Sequence, residues 1–173
     1  AKIAGIKMCQ SYNEQYKTNY KCLMPTNTLG PNDNYDELNS HFFPALIKKV
    51  HQLKFSKNNT ITLWGDGSPK REVIHVDDLA DACLYFMKKK TKHFLINIGT
   101  GRDFTINSYL EQIAKVILGN KKIKIKYDKS KPNGVKRKVM DISLARKYGW
   151  RHKINLKTSI KMTYQSFLKE LIK

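Results

Sequence analysis

The sequence predicts a mixed α/β protein, and three observations carry that expectation. Segments with apolar residues at helical spacing take turns with short runs that are β-branched or alternate apolar with polar residues. Neither an internal repeat nor a low-complexity linker breaks the pattern. Hydrophobic residues make up 40% of the 173 positions and run the whole length, which suits one sizeable core and argues against a disordered tail.

The spacing predicts a first helix over 2–17, where Ile3, Ile6, Met8, Cys9, Tyr12 and Tyr16 wrap more than one face. A helix apolar on two sides needs two partners, so a dimer through this helix is expected. Lys21–Thr26 reads as a strand, and 29–40 as a polar loop rich in Asn, Asp and Pro. A helix over His41–Leu53 carries Phe42, Leu46, Ile47, Val50 and Leu53 on its core stripe, with Pro44 tolerable in the first turn. Thr60–Trp64 and Glu72–His75 read as strands. Asp77 or Asp78 is expected to cap the next helix, whose apolar face is Leu79, Ala80, Cys83, Leu84 and Met87, with Lys88, Lys89 and Lys90 at its negative end. Phe94–Ile98 is a strand ending in Gly99-Thr100-Gly101. Thr105 then caps a helix bearing Ile106, Leu110, Ile113 and Ile117, which Gly119 stops. Lys122–Tyr127 alternates as a half-exposed strand, a short helix spans Asp141–Tyr148, and a last helix spans Leu156–Leu171.

The net charge of +19 raises nucleic-acid binding, yet only Arg71, Arg102, Arg137, Arg146 and Arg151 are arginines among 33 basic residues. The lysines scatter over nearly every element, whereas nucleic-acid readers gather arginine forks and aromatic platforms on one face. Nucleic acid is therefore not an expected partner. No apolar run approaches the ~20 residues of a membrane span, so a soluble, cytoplasmic protein is expected. Cys9, Cys22 and Cys83 each sit in an apolar segment without metal-ligand spacing, which predicts buried reduced thiols and no metal site.

Residues 64–78, W-G-D-G-S-P-K-R-E-V-I-H-V-D-D, carry the densest chemistry: an aromatic, two glycines, an arginine and paired aspartates between a strand and a helix. The stretch resembles the substrate-domain signature of sugar-nucleotide enzymes in the extended short-chain dehydrogenase/reductase family. The resemblance continues in order through A-K-I-A-G-I-K-M-C-Q-S-Y-N at 1–13, M-P-T-N-T-L-G-P-N-D-N at 24–34, N-S-H-F-F-P-A-L at 39–46, I-N-I-G-T-G at 96–101 and S-K-P-N-G-V-K-R-K-V-M-D at 130–141. N-S-H-x-x-P-A-L together with S-K-P-x-G is the narrow part of the match, similar to members that act on a GDP-linked 4-keto-6-deoxy sugar.

That resemblance implies the C-terminal part of such an enzyme. Residues 1–30 would be the last helix and strand of an NADP-binding Rossmann domain, and 31–173 a substrate-binding domain with some elements returning to the Rossmann sheet. The 173 residues contain no glycine-rich dinucleotide turn, and the chain opens inside a helix, so a partial chain is expected. The resemblance implies NADP as cofactor, a GDP-sugar as substrate, and homodimers formed through the first helix. It makes Lys2 the lysine of a Tyr-x-x-x-Lys pair, catalytic and cofactor-binding, with the tyrosine upstream of Ala1. It implies that His41 touches the cofactor and exchanges protons at C3 and C5 of the keto sugar, opposite a cysteine not found in this chain. Pro25, Thr26, Asn27 and Thr28 become the cofactor loop, and Lys49, Trp64, Arg71 and Asn133 the substrate contacts. Asn133 stands where the family often has aspartate. The residues by themselves leave plainer roles open: a solvated Lys2, a capping His41, a turn at 25–28, a surface Lys49, a core Trp64 and a strand-end salt bridge for Arg71. His75, Asp77 and Asp78 are expected to serve packing and capping.

Overall fold

The computed structural model describes residues 1–36 and 39–172. In chain order the elements are α1 (Lys2–Tyr16), β1 (Cys22–Pro25), β2 (Asn27–Leu29), α2 (Phe42–Phe55), β3 (Thr60–Trp64), β4 (Lys70–His75), α3 (Val76–Lys88), β5 (Leu95–Ile98), β6 (Asp103–Thr105), α4 (Ile106–Leu118), β7 (Lys124–Asp128), β8 (Arg137–Lys138), α5 (Ser143–Lys147) and α6 (Leu156–Glu170). The predicted loop at 29–40 overlaps the end of β2, and its positions 37 and 38 lie outside the described residues.

Strand β4 is the hub. It pairs in parallel with β2, antiparallel with β6, and in parallel with β8. Successive strand side chains point to opposite faces, so Val73 enters one core and Ile74 the other. The larger core gathers Phe43, Ile47 and Val50 of α2, Leu110 and Ile113 of α4, Ile160 and Phe167 of α6, and Ile61 and Leu63 of β3. The smaller holds Ala82 and Phe86 of α3 against Ile96 and Ile98 of β5, closed by Ala145 and Trp150. Two further parallel pairs, β1 with β5 and β3 with β7, flank this hub.

Local chemistry sets several boundaries as expected. Pro44 lies in the first turn of α2, where its missing N–H has no helical partner to lose. The Thr105 hydroxyl accepts from the Ser108 N–H to start α4, and Gly119 ends it at φ +64°. The start of α6 at Leu156 is also as expected, with a cap that was not foreseen: Asn155 Oδ1 accepts the Thr158 N–H.

Other expectations are corrected. Strands β2, β6 and β8, of two or three residues each, were not foreseen; each is held by pairing to β4 rather than by its own pattern. The cap of α3 is His75, whose Nδ1 accepts from the Asp77 N–H, and neither aspartate takes that place. The face of α3 turned inward is Asp78, Ala82 and Phe86, while Ala80, Cys83, Leu84 and Met87 are exposed. Periodicity misled there because a carboxylate leads the inward stripe: Asp78 is buried, accepting the main-chain N–H groups of Lys153 and Ile154 at 2.9 and 3.0 Å. The cysteines are not buried either; Cys9 and Cys22 are half-buried and Cys83 is exposed. Helix α1 buries none of its residues, and Ile3, Met8, Tyr12 and Tyr16 stand exposed. Among the described residues, no helix is long and apolar enough to cross a membrane.

Candidate functional site

The turn between β3 and β4 is built on two glycines with left-handed backbone, Gly65 at φ +70° and Gly67 at φ +72°. A Cβ on either would strike an amide side chain, Asn133 at the first and Asn107 at the second. Asp66 between them accepts from the Ser68 N–H at 2.9 Å and the Ser68 hydroxyl at 2.6 Å, which hold its pKa below the usual carboxylate range. The Asp66 N–H in turn donates to Asn133 Oδ1 at 2.8 Å. The turn and the segment around Asn133, joined by a bond between residues 67 positions apart, are thereby fastened together.

Three successive residues of β4 seat the rest of that segment. The Lys70 N–H donates to the Lys136 carbonyl at 2.8 Å, Arg71 Nη1 donates to the Val135 carbonyl at 2.6 Å, and the Met140 N–H donates to the Glu72 carboxylate at 2.6 Å. Arg137 of β8 also pairs with Asp103 of β6, holding the aspartate's pKa down. From below, the buried Tyr109 hydroxyl donates to the Arg71 carbonyl at 2.8 Å, and burial pushes its pKa up.

Between this strap, β3 and the start of α2 lies a half-open cavity of about 270 Å³. Lys49, Trp64, Arg71 and Asn133 all line it, joined by Phe42, Pro132 and Ile106. Trp64 is 59% exposed, which removes the core-packing role, and the Lys131 ammonium lies 5.5 Å from its ring centroid. Arg71 forms no strand-end salt bridge among the described residues; its guanidinium also donates to its neighbour's carbonyl, Lys70 O, at 2.8 Å. Lys49 Nζ donates to the Thr62 carbonyl at 2.9 Å. An ammonium, a guanidinium and an uncovered indole around one apolar-floored cavity suit a ligand with both a flat ring and a strong anion, as a nucleoside diphosphate has.

A second, shallower groove of about 400 Å³ is lined by Pro25, Thr26 and Asn27 on one side and Lys138, Val139 and Met140 on the other. Thr26 Oγ1 and Asn27 Nδ2 both donate to the Glu72 carbonyl, at 3.2 and 2.8 Å, and the exposed Thr28 hydroxyl donates to Thr26 O at 3.4 Å. His41 is the exposed N-cap residue of α2 and makes no side-chain cap bond; its neighbours Ser40 and Phe42 line the cavity and it does not. Lys2 is exposed in the first turn of α1 and lines neither space.

Sequence reasoning passed over Glu72, Asn107 and Lys131. Glu72 stood out only as a carboxylate beside Val73 and Ile74, with nothing to name its partners; Lys131 lies within the S-K-P-x-G motif but was not singled out, and Asn107 had no signal among the many surface asparagines.

A model of the NAD dependent epimerase/dehydratase family matches residues 1–99. The chain is 42% identical to a GDP-L-fucose synthase of Escherichia coli (strain K12), over 97% of this chain and 54% of the relative. It is also 42% identical to a GDP-L-colitose synthase of Yersinia pseudotuberculosis, over 98% and 55%. Among solved structures it is similar to a GDP-D-glycero-L-gluco-heptose synthase from Campylobacter jejuni, solved in the presence of NADPH, with TM-score 0.83, 32% identity, and coverage of 98% of this chain and 58% of that one. The chain spans about half the length of the curated relatives it matches.

Proposed function

This chain belongs to the NAD dependent epimerase/dehydratase family, and from that premise we propose that it is the substrate-binding portion of a GDP-L-fucose synthase. The enzyme would epimerise GDP-4-keto-6-deoxy-D-mannose at C3 and C5 and reduce C4 with NADPH. The observation that carries the reading is the convergence of Lys49, Trp64, Arg71 and Asn133 on one cavity. Relatives named for GDP-L-fucose and GDP-L-colitose synthesis support a GDP-sugar as the ligand.

In this reading the Arg71 guanidinium, its position set by the Val135 carbonyl, presents fixed positive charge to the diphosphate, with Lys49 as a second cation. Trp64 offers its exposed face to a ring, and the Lys131 ammonium over it moves aside or joins the phosphates. Asn133 keeps the turn at Asp66 in place through its oxygen and contacts the ligand from the strap. His41, exposed at the N-cap of α2, holds or accepts a proton α to the C4 carbonyl, where a base on one face and an acid on the other are required.

The open groove beside Pro25–Asn27, mixed apolar with Lys138 at its edge, fits one end of an extended dinucleotide. Held there, NADPH would supply the hydride for reduction at C4. Pro25, Thr26 and Asn27 would face it in the groove, while Lys2, Thr28 and His41, outside the groove's lining, would meet parts of the cofactor that reach beyond it; the Thr26 hydroxyl and the Asn27 amide, already engaged by the Glu72 carbonyl, act by fixing the loop's shape. The 173 residues contain no glycine-rich turn for a pyrophosphate, so this chain alone is expected not to turn over. A homodimer through α1 completes the reading.

Titrating GDP into the chain while following tryptophan fluorescence tests the site. Saturable quenching that is lost in Trp64→Phe, with weaker binding of UDP and dTDP, is expected; equal binding of all three nucleotides, or of none, sinks the GDP reading. NADPH oxidation with the keto sugar by the chain alone would contradict its inactivity.

A further inference from the structure

Glu72 is fully buried, yet its carboxylate faces main-chain groups rather than a cation. Oε1 accepts the N–H groups of Thr100 and Gly101, the latter at 2.7 Å, and the Thr100 hydroxyl at 3.2 Å; Oε2 accepts the Met140 N–H at 2.6 Å. Gly99 lies so close that a Cβ there would strike the same carboxylate. The carbonyl of the same residue receives Thr26 Oγ1 and Asn27 Nδ2. One residue thus touches the loop at 25–28, the turn after β5 and the end of the strap at 140.

The strap needs that hold. Strand β8 is only two residues long, and the segment 131–139 is exposed throughout. Its two ends border the two spaces: Pro132 and Asn133 wall the cavity, and Val139 and Met140 wall the groove. Arg71, next to Glu72, bonds the strap's middle at Val135. A buried carboxylate accepting several N–H groups forms strong, directional bonds, and losing one acceptor leaves a buried donor unpaired.

Resting on the GDP-sugar reading, we propose that Glu72 is a positioning residue whose carboxylate seats the 132–140 strap, so that one side chain keeps both the substrate cavity and the cofactor-side groove in register. Glutamine in its place retains one acceptor oxygen but sets an N–H₂ against either Met140 or the Thr100–Gly101 turn, donor facing donor. Asp78→Asn is the matched control: the same exchange at a buried carboxylate that holds Lys153 and Ile154 and lines neither space.

The experiment compares the chain with Glu72→Gln and Asp78→Asn by thermal melting, amide hydrogen exchange at Met140, and GDP affinity from fluorescence titration. Both variants are expected to melt earlier. Only Glu72→Gln should expose the Met140 amide to exchange and bind GDP roughly tenfold more weakly. If Glu72→Gln does not fold, Glu72→Asp, which keeps the charge but retracts it by one methylene, is read in the same way. A folded variant with a fast-exchanging Met140 amide and unchanged GDP affinity overturns the proposal, as does an equal loss in Asp78→Asn. Absence of GDP binding by the unsubstituted chain overturns the site reading itself, whereas undiminished affinity in Glu72→Gln overturns only the role of Glu72.

Discussion

At the scale of single residues, Arg71 joins two tasks: its guanidinium fastens the strap at Val135 and faces the cavity where a diphosphate would lie. Lysine keeps the charge but has no planar fork, so it can serve one partner or the other. Arg71→Lys is therefore expected to weaken GDP binding about tenfold with little change in melting temperature, measured by fluorescence titration beside a thermal scan. Asn133 makes the complementary case. Its oxygen accepts from the Asp66 N–H, a bond that aspartate preserves and alanine abolishes. Asn133→Asp should hold GDP nearly as well as the native chain and Asn133→Ala several-fold worse; equal loss in both would mean that the amide N–H₂, not the oxygen, does the work. Arg71 and Asn133 entered as substrate contacts through the family resemblance, and the chemistry of a diphosphate, which favours a guanidinium, suits the first of them. Glu72 was not legible as a site residue. Its partners are main-chain N–H groups 28 and 68 positions away, and main-chain groups leave no mark of residue type.

At the scale of elements, the helices with a clean stripe and a polar cap were readable from end to end. Thr105 and Gly119 bound α4 as expected, whereas the Asn155 cap of α6 was not read. The strands of two or three residues were not, because β2, β6 and β8 owe their existence to β4. Helix α3 shows how a buried polar group defeats periodicity: Asp78 heads its inward stripe, and the side that looks apolar in sequence is outside. Replacing Leu84 or Met87 by serine should thus shift stability by no more than about 0.5 kcal/mol, whereas Phe86→Ala should cost about 3–5 kcal/mol, both from denaturant unfolding. The bridge between β6 and β8 adds a pH dependence. Arg137 lowers the pKa of Asp103 below its unfolded value of ~3.9. The stabilisation is complete above that unfolded value and disappears as pH falls through the lower folded one. An acid melt of Asp103→Asn should accordingly fall less steeply below about pH 4 than that of the native chain.

At the scale of the whole molecule, the two cores share strand β4, and α1 belongs to neither. A fifteen-residue helix with no buried side chain has little to hold it in water, since short helices draw most of their stability from packing an apolar face. Ile3, Met8, Tyr12 and Tyr16 remain uncovered on it, and the aromatic rings of Tyr12, Tyr16 and Tyr20 cluster beside one another at centroid distances of 5.2 and 6.1 Å. Wrapping of apolar residues around more than one face was visible in the sequence; what covers them was not, because a sequence records a face and not its partner. A second copy of the same helix is the occupant the proposed homodimer supplies, with each α1 covering the exposed tyrosines and Ile3 of the other. Light scattering should therefore give twice the chain mass at micromolar concentration, and Tyr12→Glu with Tyr16→Glu should halve it while leaving GDP affinity intact, since α1 lines neither the cavity nor the groove. A native chain that scatters as a monomer, or a double variant that stays dimeric, places the contact elsewhere and rules out α1 as the seam.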